Sequence, residues 1–202
     1  MLKTTLYTFA VLALTVGGAL SQDKGKGPGG PGGGKNKGPA VPGMGLSSPD
    51  FQDGGIIPDK FTGAVPMPVS PKLEFSNVPP TTQSFVLIMH DPDNALNGGT
   101  DDVLHWMVFN IPRTAKGLDG GQSDTATLPD GTIQAKNLRG TVGFMGPGNA
   151  AINPYHHYTF ELYALNAKLS LGPDATRADV LKAMDTHTVG KAVLVGRFKR
   201  PQ

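Results

Sequence analysis

The chain has 202 residues, with 18 lysines and arginines against 16 acidic side chains and no cysteine. Without cysteine there is no disulfide framework, thiolate zinc site, cysteine nucleophile or lipid-anchored cysteine. The N-terminal part does not read as folded protein, so the length predicts one domain of about 150 residues, enough to bury a core unaided.

Residues 1–21, MLKTTLYTFAVLALTVGGALS, place Lys3 before an apolar run around Phe9 to Leu14 and end in small residues with an Ala19-x-Ser21 pattern. That is the layout of a secretory signal peptide, and it predicts a secreted or periplasmic protein. The run is shorter than the roughly 20 apolar residues a bilayer span needs. Residues 22–45, QDKGKGPGGPGGGKNKGPAVPGMG, have too few apolar side chains to offset the entropy of ordering and read as a disordered tether. The tether's four lysines and one aspartate give it net +3, whereas residues 46–202 carry 13 basic and 15 acidic side chains, net −2. A slightly acidic domain argues against a nucleic-acid partner, and the basic tether is suited to weak contact with anionic surfaces.

In the stretch from Phe51 to Pro79, short strands joined by proline turns are expected, with Pro66, Pro68 and Pro71 at edges or in loops. SFVLIMH, residues 84–90, is a nearly unbroken apolar run between turn-rich segments and predicts a strand covered on both faces. LHWMVFNIP, residues 104–112, predicts a second strand that stops at Pro112. HHYTFELYAL, residues 156–165, puts His156, Tyr158, Phe160 and Leu162 on one face and His157, Thr159, Glu161 and Tyr163 on the other. A helix is expected within GPDATRADVLKAMDTH, with Asp174 as N-cap and Val180, Leu181 and Met184 as its apolar stripe, before a last strand at residues 192–200. Glycine and proline elsewhere leave little room for helices, so the expected fold is mainly β, a sandwich with a C-terminal helix.

Polar residues that require explanation stand at the ends of apolar strands: Asp91 and Asp93 in HDPD, His105, and the adjacent His156 and His157. Asp-Pro-Asp is a common turn former, and His105 beside Trp106 could be a satisfied core histidine. Adjacent strand residues face opposite ways, so His156 and His157 do not share a ligand, and His157 is expected at the surface. A mononuclear metal at Asp91, His105 and His156 has suitable ligand types but no supporting spacing. Ser84 and Ser123 lie in no G-x-S-x-G context, and GFMGPG, residues 143–148, follows no nucleotide fingerprint but can offer backbone N–H groups to an anion.

Taken in order, GGIIP (54–58), SPKLEFSNVPPTTQSFVLIMHDPD (70–93), HWMVFNIP (105–112), GFMGPG (143–148) and HHYTFELYAL (156–165) resemble the phosphatidylethanolamine-binding protein family, in its bacterial Raf-kinase-inhibitor-like branch. The similarity runs through LKAMDTHTVGKAVLVGRFKR to residue 200 and covers residues 46–202. It implies a Greek-key sandwich of two antiparallel sheets with a small pocket for phosphate-like anions or phospholipid head groups. It places Asp91, Asp93, His105, Gly146, Gly148, His156 and Tyr158 around that pocket, with imidazole N–H, phenol and loop amides as donors, and suggests a cis peptide before Pro92. The carboxylates would suit an amine head group or hold the histidines in a donating, partly cationic state. This chain departs from the family in DPDNAL, Phe144 and the pair Asn149–Ala150 where members often carry DPDAP, tyrosine and Pro-Pro, which predicts a softer rim.

The leading expectation is a secreted, non-enzymatic binding protein with neither metal nor cofactor. Inhibition of an extracytoplasmic hydrolase or another protein partner is the second reading. A hydrolase with His105 or His156 as general base and Asp91 as its orienting partner is the third.

Overall fold

The computed structural model describes residues 43–202, so the expected leader and all but the last residues of the tether lie outside the described residues. Met44 packs against the main core and Gly45 opens the first strand, so the folded part includes the last two residues assigned to the tether. The described residues form nine strands and one α-helix: β1 (Gly45–Ser47), β2 (Gly55–Ile56), β3 (Leu73–Ser76), β4 (Ser84–Asp91), β5 (Val103–Pro112), β6 (Gly117–Leu118), β7 (Ile133–Gln134), β8 (His156–Leu165), α1 (Arg177–Met184) and β9 (Thr188–Phe198).

Strands β1, β3 and β6 form a small antiparallel sheet, and the larger sheet has the order β2-β9-β8-β4-β5-β7. After the β4–β5 hairpin the chain returns over a long connection to lay β8 beside β4, the crossing of a Greek key. Pairing is antiparallel throughout except for β2, whose two residues run parallel to β9 at the sheet edge. Pro66, Pro68 and Pro71 all lie outside strands, as their missing N–H requires.

Central strand β4 is buried at all eight positions. Phe85, Leu87 and Met89 enter the core between the sheets with Trp106, Phe160 and Leu162. Val86 and Ile88 enter a second core under α1, with Met107, Phe109, Val180 and Met184. Covering on both faces is why the run carries no alternation. At about 25 cal/mol per Å² of apolar surface, a strand so enclosed is a main source of the fold's stability.

The helix departs from expectation at its start. Thr176, not Asp174, is the N-cap: its side chain accepts the Asp179 N–H while the Asp179 carboxylate accepts the Thr176 N–H, a reciprocal capping box. Asp174 lies in the preceding turn and pairs with Lys136 at 2.8 Å. Val180 and Met184 are the buried stripe, and Leu181 turns outward. No described peptide bond is cis, so the bond before Pro92 is trans, contrary to what the resemblance suggests.

Candidate functional site

Antiparallel pairing brings the candidate strand ends together. Asp91 closes β4 opposite Val103, and His90 pairs with Thr159 near the start of β8. The C-terminal end of β4 therefore lies between the beginnings of β5 and β8. Side-chain alternation carries Asp91 to the face of Phe85, Leu87 and Met89, and His156 to the face of Tyr158, Phe160 and Leu162.

His105 reaches the same face by a different route. Met89 pairs with Trp106, but the next residue, His90, pairs with Leu104, so His105 is the extra residue of a β-bulge. The bulge re-aims it, and its ring meets Tyr158 edge-to-face with centroids 5.1 Å apart. Alternation counted from Trp106 would have sent it to the opposite side.

Around these residues lies a cavity of about 390 Å³ lined by Asp91, His105, Gly146, Gly148, His156 and Tyr158, six of the seven expected positions. Sequence reasoning missed Arg139, Asn94 and Asn153, which also line it together with Asn149 of the expected rim. The available signal for Arg139 was a lone cation four residues ahead of GFMGPG.

Asp91 is 3% exposed and acts as a support. One carboxylate oxygen accepts the Asp93 amide at 3.0 Å and the other faces His156 Nδ1 at 2.8 Å. A carboxylate can only accept here, so Nδ1 of His156 carries the proton and Nε2 is left for the pocket. Asp91 therefore fixes the orientation of the His156 ring.

His105 is 4% exposed, and its Nδ1 lies 2.8 Å from the Met145 carbonyl. Its ring N–H is thus donated to the loop, not to a ligand as expected for an anion donor. Burial lowers its pKa below the ordinary histidine value, against the opposing effects of the Met145 bond and the Asp91 charge. Burial also raises the Tyr158 phenol well above its ordinary value, the charge of Asp91 adding to it and the Asn149 and Gly148 amides opposing it. Tyr158 consequently remains a hydroxyl donor at any physiological pH.

The loop that closes the cavity is braced from several sides. Met145 N–H donates to the His105 carbonyl at 2.9 Å and Gly63 N–H to the Pro147 carbonyl at 2.7 Å. Gly146 is required by packing, because a Cβ there would stand 2.9 Å from Pro68 and 3.1 Å from the Phe61 carbonyl. A Cβ on Gly148 would meet nothing within 4 Å. Asn149 is buried; its side chain donates to the Pro154 carbonyl at 2.7 Å and accepts from Asn153 at 2.8 Å. Hydrogen bonds thus brace the rim at this position.

Asp93 corrects the expected set: it does not line the cavity. It accepts the backbone N–H of His157 at 2.6 Å and its ring Nδ1 at 2.9 Å, on the outer side of β8. Its pKa is lowered; partial burial works against this and is outweighed by the two His157 bonds and the charges of His157 and His156. Asp91 and Asp93 therefore serve one histidine each, His156 inside and His157 outside. His90 points away from the pocket too, its Nδ1 2.6 Å from Asp102.

Among the described residues no group of three or more His, Cys, Asp or Glu is placed to hold a metal ion. For the hydrolase reading, Asp91 orients His156 but not His105, and Ser84 donates its hydroxyl to the Ala167 carbonyl at 2.5 Å, at the far end of β4.

Residues 47–199 match the family described as phosphatidylethanolamine-binding protein. A UPF0098 protein of Methanothermobacter thermautotrophicus is 40% identical over 157 residues, covering 78% of this chain and 99% of that protein. The crystal structure of a phosphatidylethanolamine-binding protein homologue from Chlamydia trachomatis superposes with a TM-score of 0.68 at 31% identity, covering 79% of this chain and 99% of that one. YbcL of Escherichia coli, described as a new member of the mammalian family, superposes equally well, with a TM-score of 0.68 at 27% identity over 78% of this chain and 99% of that one.

Proposed function

The chain belongs to the phosphatidylethanolamine-binding protein family, and from that premise we propose that it is a non-enzymatic binding protein whose pocket holds a small phosphate-like anion, free or as a phospholipid head group. The observation that carries this reading is the meeting of Arg139, His156 and Tyr158 in one cavity. Arg139 is a permanent cation, and no described carboxylate pairs with it. The Tyr158 hydroxyl is a donor that burial keeps protonated. His156 is held in place by Asp91, so its Nε2 presents a fixed direction to a ligand.

The same arrangement favours holding over turnover. Asp91 and His156 resemble a base and its orienting partner, but the hydroxyl beside them is Tyr158, whose proton is hard to remove. The leader and tether expected from residues 1–45 support a site of action outside the cytoplasm.

Calorimetry with inorganic phosphate and with phosphoethanolamine tests the reading. Hydrogen bonds to charged groups contribute about 1.5–3 kcal/mol, so His156→Ala is expected to weaken both ligands roughly tenfold or more. Undiminished binding by a folded His156→Ala protein would remove the pocket from consideration.

A further inference from the structure

The pocket is lined by a hydrogen-bond acceptor where an anion site would be expected to offer only donors. Because Nδ1 of His105 is committed as donor to the Met145 carbonyl, Nε2 of the neutral ring is a lone pair. That atom has no protein hydrogen-bond partner among the described residues and is not sealed from solvent. The residue lines the cavity while being 4% exposed overall, and Nε2 is its one polar ring atom not engaged by the protein. An oxygen with no hydrogen, brought against that lone pair, would meet electron density and leave a desolvated acceptor unpaired.

Resting on the anion reading above, we propose that His105 makes the site selective for oxyanions that carry a proton: phosphate and phosphomonoesters bind as hydrogen-bonded acids, and fully ionised oxyanions such as sulfate are rejected. The hydroxyl of the bound phosphate donates to His105 Nε2, while its ionised oxygens take the Tyr158 hydroxyl and Arg139. Where a phosphomonoester arrives as its proton-free dianion, a proton is drawn from solvent into the gap between Nε2 and the phosphate oxygen, a proton that sulfate, a far weaker base, does not hold. Binding of that dianion is then linked to uptake of one proton.

The groups that face His105 agree with this assignment. From β4, Asp91 lies near enough to favour a charged ring and His90 opposes it; from the loop after β7, Arg139 also opposes it. From β8, Tyr158 stacks on it edge-to-face and remains neutral, and His156 has its own carboxylate partner. Burial exceeds each of these and keeps the empty ring neutral near pH 7. Inorganic phosphate keeps at least one hydroxyl at that pH and sulfate keeps none. A phosphomonoester loses its last proton near pH 6 and so separates ligand-borne from solvent-borne protons.

Titration calorimetry of the full chain at pH 7.5 and constant ionic strength, with sodium phosphate, sodium sulfate and methyl phosphate, tests the proposal. Phosphate is expected to bind at least ~10-fold more tightly than sulfate, since a site built for a ligand hydroxyl penalises the analogue without it. Methyl phosphate, repeated in two buffers of different ionisation heat, is expected to take up close to one proton per site. In His105→Gln the amide can turn its NH₂ to the pocket, and the phosphate-to-sulfate ratio should fall toward one. Equal phosphate and sulfate affinities without proton uptake would overturn the selectivity and leave the anion reading standing. A folded His105→Gln protein that keeps the wild-type ratio would overturn the role of His105. Failure of all three ligands to bind would remove the anion reading and this proposal with it. If His105→Gln does not fold, the wild-type ratio and proton count decide.

Discussion

Replacing Tyr158 by phenylalanine removes one hydroxyl from the candidate pocket and leaves the rest of the side chain in place. The ring is 1% exposed and edge-on to His105 with centroids 5.1 Å apart, so its packing between the sheets survives the change. The lost group is a donor that burial keeps protonated, beside the amides of Gly148 and Asn149. A hydrogen bond to an anion contributes about 1.5–3 kcal/mol and each 1.4 kcal/mol is a factor of ten, so phosphate affinity should fall roughly 10- to 100-fold. Stability should change by no more than about 1 kcal/mol, a shift of about 2–4 °C in melting temperature. Calorimetry with phosphate and a thermal melt of the same preparation separate the two effects. A folded Tyr158→Phe protein that binds phosphate within about twofold of wild type would refute the assignment of the hydroxyl as an anion donor.

The two loop glycines should differ in what they tolerate. Gly146→Ala, crowded by Pro68 and the Phe61 carbonyl, is expected to cost about 1–3 kcal/mol and lower the melting temperature by several degrees, whereas Gly148→Ala should melt like wild type. Equal melting of the two variants would count against the packing role of Gly146. Asp93→Asn should speed amide exchange across residues 91–102 and leave phosphate binding unchanged, because the carboxylate anchors that segment to His157 outside the pocket. Unaltered exchange would argue that the anchor does nothing. The Asp93 carboxyl titrates lower folded than unfolded, so its contribution is full above about pH 4 and is lost as pH falls through the folded value. His105 is depressed as well, but a histidine has the opposite charge logic: below about pH 6.5 the unfolded chain takes up a proton that the folded ring refuses, so stability falls with pH until the folded ring titrates. Urea midpoints at pH 7.5 and 5.5 should therefore drop more for wild type than for His105→Gln, and equal drops would contradict the depressed value.

Much of this arrangement was legible in the residues because strand alternation is a strict code. The unbroken SFVLIMH run announced a strand covered on both faces, and the alternation in HHYTFELYAL separated His156 from His157. Where alternation breaks, the sequence is silent. Nothing in LHWMVFNIP marks His105 as a bulge residue, yet the bulge is what turns it into the pocket. Asp93 was misplaced for a related reason: two carboxylates two residues apart in a turn obey no alternation rule, and Asp91 holds the pocket histidine while Asp93 holds its outer neighbour. The helix start was missed by two residues because Asp174 and Thr176 are both competent caps, and only the reciprocal bond with Asp179 distinguishes them. Arg139 escaped notice because a single arginine in an irregular loop carries no pattern until the chain folds it against the glycines.

A crystal soaked in phosphate tests the central assignment most directly. An anion-binding pocket requires the phosphate to lie within hydrogen-bonding distance of His156 Nε2 and the Tyr158 hydroxyl, with Arg139 beside it. Phosphate bound elsewhere on the surface, with the cavity holding only water, would contradict it.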